Sequence, residues 1–217
     1  NARIMLGDFR TILRNEVQCG DFVYMDPPYV PVSVYSDFKR YTKEQFSLED
    51  HKEIADEARR LRDEGVQVLL SNVDNEIVRD LYRNFDIKSV ESRRNISSNG
   101  AGRTGKDVLI FSREKKRTFV RPHNAQLSPQ IEAFPPTRFM GSKRKLLGDI
   151  WAVSVRFKPG KVLDLFSGSG IVSYMYKAQG CQVLANDYMA VSSIVAKAMV
   201  QNSSVRLSHE VVESLLQ

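Results

Sequence analysis

Residues 162–176, "VLDLFSGSGIVSYMY", decide the fold: an apolar strand runs into the turn Ser167-Gly168-Ser169-Gly170, and a helix follows. Gly168 and Gly170 let the backbone turn tightly and let a ligand approach it closely. The turn opens a helix whose first amides favour negative charge. Seventeen residues beyond Gly170, at the end of the next strand, stands Asp187. An acid there is placed to take both hydroxyls of a ribose, so a nucleoside-containing cofactor is expected. NAD and S-adenosylmethionine both fit that description. The spelling Gly168-x-Gly170-x-x-Ser173 lacks the third glycine of the dinucleotide fingerprint. Asp164 adds an acid inside the strand, better suited to the cationic amino group of a methionine tail than to a pyrophosphate. The turn therefore leans towards S-adenosylmethionine.

Outward from this unit the chain alternates strands and helices. After it come the strand "CQVLANDY" and the helix "AVSSIVAKAMVQNS"; before it, "RFMGSKRKLLGDIWAVSV" opens a helix. The first half reads as strands "ARIML", "DFVYM", "VQVLLSN", "DIKSVES" and "KDVLIFS". Helices "GDFRTILRN", "SLEDHKEIADEARRLRDEG" and "NEIVRDLYRNF" separate the earlier ones. In the longest helix Ser47 reads as the N-cap, with Asp50 three residues on in a pattern close to a capping box, and Gly65 as the stop. Such alternation predicts an α/β fold with a doubly wound, mostly parallel sheet. Residues 1–112 and 137–217 are its two halves, and 113–136 is a basic, Pro-containing linker.

The 217 residues carry a net charge of +6, unevenly distributed. Residues 1–112 carry −2, residues 113–150 carry +6 and residues 151–217 carry +2. A basic stripe suits a polyanion such as nucleic acid, and equally a solvated linker. No apolar run is long enough to span a membrane, so no membrane partner is expected. Cys19 and Cys181, without a CxxC, read as ordinary thiols of a cytoplasmic protein. Three scattered His residues give no metal-ligand spacing.

A second motif, Asp26-Pro27-Pro28-Tyr29, ends the strand "FVYM" on residues that strand interiors reject. An exocyclic amine on a nucleobase explains it. The lone pair of such a nitrogen is conjugated into the ring. Two acceptors holding its hydrogens draw it towards tetrahedral geometry. The Asp26 carboxylate is one acceptor and a turn carbonyl, that of Pro27, is the other; the prolines stiffen both. Tyr29 gives a face on which a flipped base stacks. This chemistry needs neither a metal nor a protein nucleophile. The bland alternative is a Pro-rich turn after a strand.

The pair "DPPY" and "DLFSGSG" resembles the amino-methyltransferases that modify adenine N6 or cytosine N4 in DNA. "GDFVYMDPPYVPVSVYSDFKRYT", "VLLSNVD" and "RRNISSNG" are similar to the DNA adenine methylase (Dam-like, D12) family. The resemblance implies a methyltransferase fold, S-adenosyl-L-methionine as cofactor, double-stranded DNA as partner and adenine N6 as target. It also implies a restriction-modification setting with a cognate endonuclease. It assigns Asp26, Pro27, Pro28 and Tyr29 to the flipped base, with Asp26 also among the cofactor contacts. "RFMGSKRKLL" resembles the family's opening motif, which places Phe139, Gly141 and Lys143 at the cofactor. Asp164, Phe166, Gly168, Gly170 and Asp187 complete that site, and Asp8 in "LGDF" matches the acid near its adenine. Arg93, Arg94 and Asn95 suit DNA contacts, and Asn72 ends a strand near the active-site edge. The family's motif order is reversed here. A circular permutation, or a window across a tandem fusion, accounts for that; the fusion is the favoured expectation, and the two halves are expected to share one sheet.

Other classes explain less. A dinucleotide oxidoreductase leaves Asp26 to Tyr29 idle, and a non-catalytic DNA-binding module leaves both motifs idle. RNA and protein methyltransferases with a related turn usually carry Asn at its first place. Cytosine C5 chemistry needs a nucleophilic Cys beside Pro, which neither cysteine has. The amine chemistry itself does not separate adenine N6 from cytosine N4.

Overall fold

Near-continuous apolar runs along the central strands bury both faces of one sheet, with helices on each. The computed structural model describes residues 1–30, 46–93, 104–113, 126–136, 139, 141–205 and 208–215. Among them the strands are β1 (Ala2–Leu6), β2 (Phe22–Met25), β3 (Gln67–Val73), β4 (Asp86–Arg93), β5 (Thr104–Phe111), β6 (Lys161–Asp164) and β7 (Gln182–Asp187). The helices are α1 (Phe9–Glu16), α2 (Leu48–Asp63), α3 (Glu76–Leu81), α4 (Leu147–Ser154), α5 (Ile171–Ala178), α6 (Ala190–Ala196) and α7 (His209–Leu215). The sheet runs β1-β7-β6-β2-β3-β5-β4. β1, β7, β6, β2 and β3 are mutually parallel, and β5 is antiparallel to both its neighbours.

On β2, Phe22 and Tyr24 point into one core with Val162, Met175 and Trp151, whereas Val23 and Met25 point into the other with Ile54, Leu61 and Leu163. α4, α5 and α6 thus cover one face, and α1, α2 and α3 the other. The expected doubly wound sheet is present, and it is shared: β1 from the start of the chain pairs with β7, and β2 pairs with β6. One part of the linker belongs to the core. Ile131 and Phe134 are buried, and Phe134 packs on Tyr174 of α5 with ring centroids 5.1 Å apart. Pro-rich spelling hid this, because a short 3₁₀ turn (Pro129–Ala133) leaves no periodicity to read.

α2 shows how closely local sequence fixes local structure. Asp50 N donates to Ser47 Oγ at 3.2 Å and Ser47 N donates to Asp50 Oδ2 at 2.7 Å, the reciprocal capping box. At the other end Val66 N donates to Leu61 O and Gly65 N to Arg62 O, with Gly65 at φ +84°. That pair of bonds is a Schellman stop, which favours glycine at the left-handed position.

His51, in the first turn of α2, is 2% exposed and lies edge-on to Phe46 with centroids 4.9 Å apart. Burial pushes its pKa down to about 4, against the opposing pull of Asp50. The folded state therefore keeps His51 neutral where an unfolded chain, with a pKa near 6.5, binds a proton. The sign is fixed: this contribution is intact above pH 6.5 and is lost as pH falls towards 4. Urea denaturation of the wild type and His51→Leu at pH 7 and pH 4 tests it. The wild type should lose up to roughly 3 kcal/mol relative to the variant between those pH values.

Candidate active site

The sheet brings the two motifs side by side. β2 and β6 are neighbours in register, with Tyr24 opposite Asp164, so Asp26 and the glycine turn leave the same sheet edge from adjacent strands. In an open parallel sheet the carboxyl edge at the strand-order switch is where ligands bind.

At the first motif, Asp26 is held by two groups. Ser71 Oγ, from β3, donates to Asp26 Oδ1 at 2.7 Å. Lys143 Nζ lies 2.6 Å from Asp26 Oδ2. Burial pushes the Asp26 pKa up, and Lys143 and Ser71 hold it back. The same Lys143 ammonium sits 4.6 Å from the centre of the Tyr29 ring and donates to Gly141 O at 3.1 Å. Tyr29 OH donates to Asp107 Oδ2 of β5 at 3.2 Å. Asn72 Oδ1 accepts the Val73 amide at 2.8 Å and the Val30 amide at 3.3 Å, tying the chain after Tyr29 back to β3. A cation thus touches the carboxylate and faces the ring at one point, where a base amine over Tyr29 would also meet them.

At the second motif, Gly168 and Gly170 have φ of +50° and +78°. Ser173 Oγ donates to Asp164 Oδ2 at 2.6 Å. The serine that replaces the third glycine therefore serves the extra acid, and the two departures from the dinucleotide spelling are one feature. Asp164 is fully buried, and its Oδ1 has no partner. Burial pushes its pKa up to about 7, with Ser173 opposing. Asp187 takes the Gly168 amide on Oδ2 and the Met189 amide on Oδ1, each at 2.8 Å, tying the end of β7 to the turn. Burial raises its pKa as well, against those amides.

The remaining expected residues are placed in different ways. Phe139 lies on the glycine turn; a Cβ on Gly168 would stand 3.2 Å from its ring. Phe166 turns to the opposite core face and packs on Phe9, ring centroids 5.7 Å apart. Asp8 caps α1, accepting the Arg10 amide at 2.8 Å, and its Oδ2 lies 3.1 Å from the Arg10 guanidinium. Gly7 N donates to Asp187 O at 3.1 Å, so Asp8 stands at the same edge as the ribose-type acid. Arg93 ends β4, while Arg94 and Asn95 lie outside the described residues.

Buried polar atoms without partners mark sites for a polar ligand or water. Among the described residues six atoms are of this kind: Tyr82 OH and Trp151 Nε1 lie in the two core faces, and the other four are Asn72 Nδ2, Asp164 Oδ1, Ser167 Oγ and Asn186 Oδ1. All four lie at or just beyond the ends of β3, β6 and β7, at the edge carrying both motifs. Ser71 and Asp107 were not read from the sequence. The only signal for Ser71 was a polar pair, Ser71-Asn72, closing an otherwise apolar strand.

Gly168→Ala should destabilise the fold by about 1–2 kcal/mol, because an L side chain at φ +50° is strained and its Cβ crowds Phe139. Urea denaturation measures it. Gly148→Ala, with nothing within 4 Å of the added carbon, is the unstrained control.

Comparison with known proteins follows both motifs. The family described as D12 class N6 adenine-specific DNA methyltransferase matches residues 1–96 and 139–217. Type II methyltransferase M1.LlaDCHI of Lactococcus lactis subsp. cremoris is 44% identical over 101 residues, 46% of this chain and 34% of that protein. A DNA adenine methylase of Vibrio cholerae is 39% identical over 94 residues, 43% of this chain and 34% of that protein. The chain therefore spans about a third of the length of the curated relatives it matches. Among solved structures, the M1.HpyAVI–SAM complex is similar with a TM-score of 0.53 at 17% identity, covering 91% of this chain and 99% of that one. The cytosine-N4-specific PvuII DNA methyltransferase is similar with a TM-score of 0.57 at 11% identity, covering 99% of this chain and 91% of that one. At such identities the likeness speaks for the fold alone, and that fold is the methyltransferase fold expected from the motifs. With the family matched over far more than half of its length and across both motifs, this chain belongs to the D12 class N6 adenine-specific DNA methyltransferases.

Proposed function

We propose that this chain transfers a methyl group from S-adenosyl-L-methionine to the N6 amine of an adenine flipped out of double-stranded DNA. The observation that carries the reading is the adjacency of Asp26 and the glycine turn on neighbouring parallel strands, next to a buried carboxylate oxygen with no partner. Membership of the D12 class favours adenine N6 over cytosine N4.

When bound, S-adenosyl-L-methionine supplies an electrophilic methyl on a sulfonium. Asp164 Oδ1 is the acceptor for its cationic amino group, Asp187 faces its ribose hydroxyls and Phe139 covers the turn beneath it. Gly141 and Lys143 border the same space, and Asp8 stands at the adenine end. Asp26 and the Pro27 carbonyl hold the hydrogens of the target amine, and Tyr29 gives the base a stacking face. As the N–CH₃ bond forms and the S–CH₃ bond breaks, the amine gives up a proton. Asp26, its pKa raised by burial, is the base at hand. Arg93, Arg94 and Asn95 are assigned to DNA next to the flipped base.

In this reading residues 1–112 form the catalytic half and residues 137–217 the cofactor half. The proposal extends to a cytoplasmic restriction-modification setting with a cognate endonuclease, in keeping with a relative named as a Type II methyltransferase. Among the described residues no helix is long and apolar enough to cross a membrane. The test is transfer of tritiated methyl to double-stranded DNA, followed by digestion to nucleosides. Label in N6-methyl-2′-deoxyadenosine supports the proposal. Label in N4-methyl-2′-deoxycytidine, or none, overturns it.

A further inference from the structure

We infer that Ser71, backed by Tyr24, is a positioning residue that selects which oxygen of Asp26 meets the target amine. The inference rests on the methyl-transfer reading above. It starts from a chain of buried hydroxyls. Tyr24 and Ser71 are both 0% exposed. Ser71 Oγ donates its hydrogen to Asp26 Oδ1 at 2.7 Å, and Tyr24 OH lies 2.9 Å from Ser71 Oγ. A hydroxyl has one hydrogen, so the phenol must donate to the serine. Burial, with the nearby Asp26 charge, pushes the Tyr24 pKa well up, which keeps that phenol protonated. The path leaves β2 two residues before the acid, crosses to β3 and returns to the residue that follows β2.

Its effect on Asp26 is specific. The last torsion of an aspartate is broad and two-fold, so an untethered carboxylate interchanges or tilts its oxygens freely. With Oδ1 tied inward by Ser71, Oδ2 is presented to the site, where Lys143 Nζ meets it at 2.6 Å. Ser71 also favours the charged form of Asp26, because a hydrogen bond to a carboxylate lowers its pKa. Removing it should therefore do two things at once: loosen the aim of Oδ2 and make Asp26 harder to ionise.

The test compares wild type, Ser71→Ala, Tyr24→Phe and Asp26→Ala by tritiated-methyl transfer to double-stranded DNA across pH. Ser71→Ala should lower kcat by about 10- to 100-fold, since small errors of aim cost that much. KM for S-adenosyl-L-methionine and for DNA should stay within about threefold, as an interaction felt mainly in the transition state predicts. The acid limb of its pH–rate profile should move up by about one unit. Tyr24→Phe should move both quantities the same way by less, and it carries the test alone if Ser71→Ala does not fold. In an Asp26→Ala background, Ser71→Ala should change the residual rate no further. A kcat and acid limb equal to wild type in both single variants, with Asp26→Ala inactive, would overturn the positioning role. Full activity in Asp26→Ala would instead overturn the role of Asp26 that Ser71 is inferred to serve, and only absence of transfer by the wild type would overturn the methyl-transfer reading itself.

Discussion

Asp26→Ala is expected to lower methyl transfer by about a thousandfold or more while leaving binding of S-adenosyl-L-methionine within about tenfold. The size follows from what the carboxylate does in the proposed reaction. It holds a hydrogen of the target amine, offsets the positive charge that develops on nitrogen and stands ready to accept the departing proton. Removing one preorganised electrostatic partner costs about two to three orders of magnitude, and removing the proton acceptor costs more. Asp26→Asn should be nearly as inactive. Its amide oxygen remains an acceptor, but it is a far weaker base, and Lys143 loses the charge 2.6 Å away. Methyl transfer by Asp26→Ala within tenfold of wild type would sink the two-acceptor mechanism. Tryptophan fluorescence titration provides the binding half of the measurement, since Trp151 packs on Tyr176 of α5, the helix that the glycine turn opens.

How much of this was legible depended on what each residue has to satisfy locally. The glycine turn and the Asp-Pro-Pro-Tyr turn were readable because backbone requirements restrict which residues can stand there. Gly168 and Gly170 do adopt positive φ, and the prolines do stand just past the end of a strand, with Asp26 between. The adjacency of β2 and β6 followed from two motifs that need one sheet edge, although 137 residues separate Asp164 and Pro27 along the chain. Long-range pairings without a motif were harder. Ser71 has no special backbone need, and its importance appears only when β3 pairs with β2 and sets it beside Asp26. Asp107 is likewise an ordinary acid in a strand until β5 pairs against β3 and presents it to Tyr29. Lys143 came from resemblance as a cofactor contact; packing sets its ammonium on Asp26 and over Tyr29, a position that spacing along the sequence does not encode.

Asp164→Asn should make the protein more stable and much worse at holding its cofactor. The Asp164 pKa is raised to about 7 by burial, whereas an unfolded Asp titrates near 3.9. The folded state thus prefers the protonated acid. Below pH 4 both states are protonated and there is no penalty. Between pH 4 and 7 the unfolded chain loses its proton first, so stability falls as pH rises, and the full cost is present above pH 7. That cost is about 4 kcal/mol. Asn removes the charge and keeps an oxygen for the Ser173 hydroxyl. Its amide nitrogen then stands where Oδ1 has no partner, which returns about 1–3 kcal/mol of the gain. A net stabilisation of roughly 1–3 kcal/mol at pH 8, shrinking towards pH 5, is the outcome for urea denaturation. Affinity for S-adenosyl-L-methionine should fall by about a hundredfold or more, because the ligand's ammonium loses its buried counter-charge. In the wild type the same linkage should tighten binding as pH rises towards 7, and the variant should lose that dependence. An Asn variant that is less stable than wild type at pH 8, yet binds the cofactor equally well, would mean that Asp164 is an internal strut and that the methionine end of the ligand lies elsewhere.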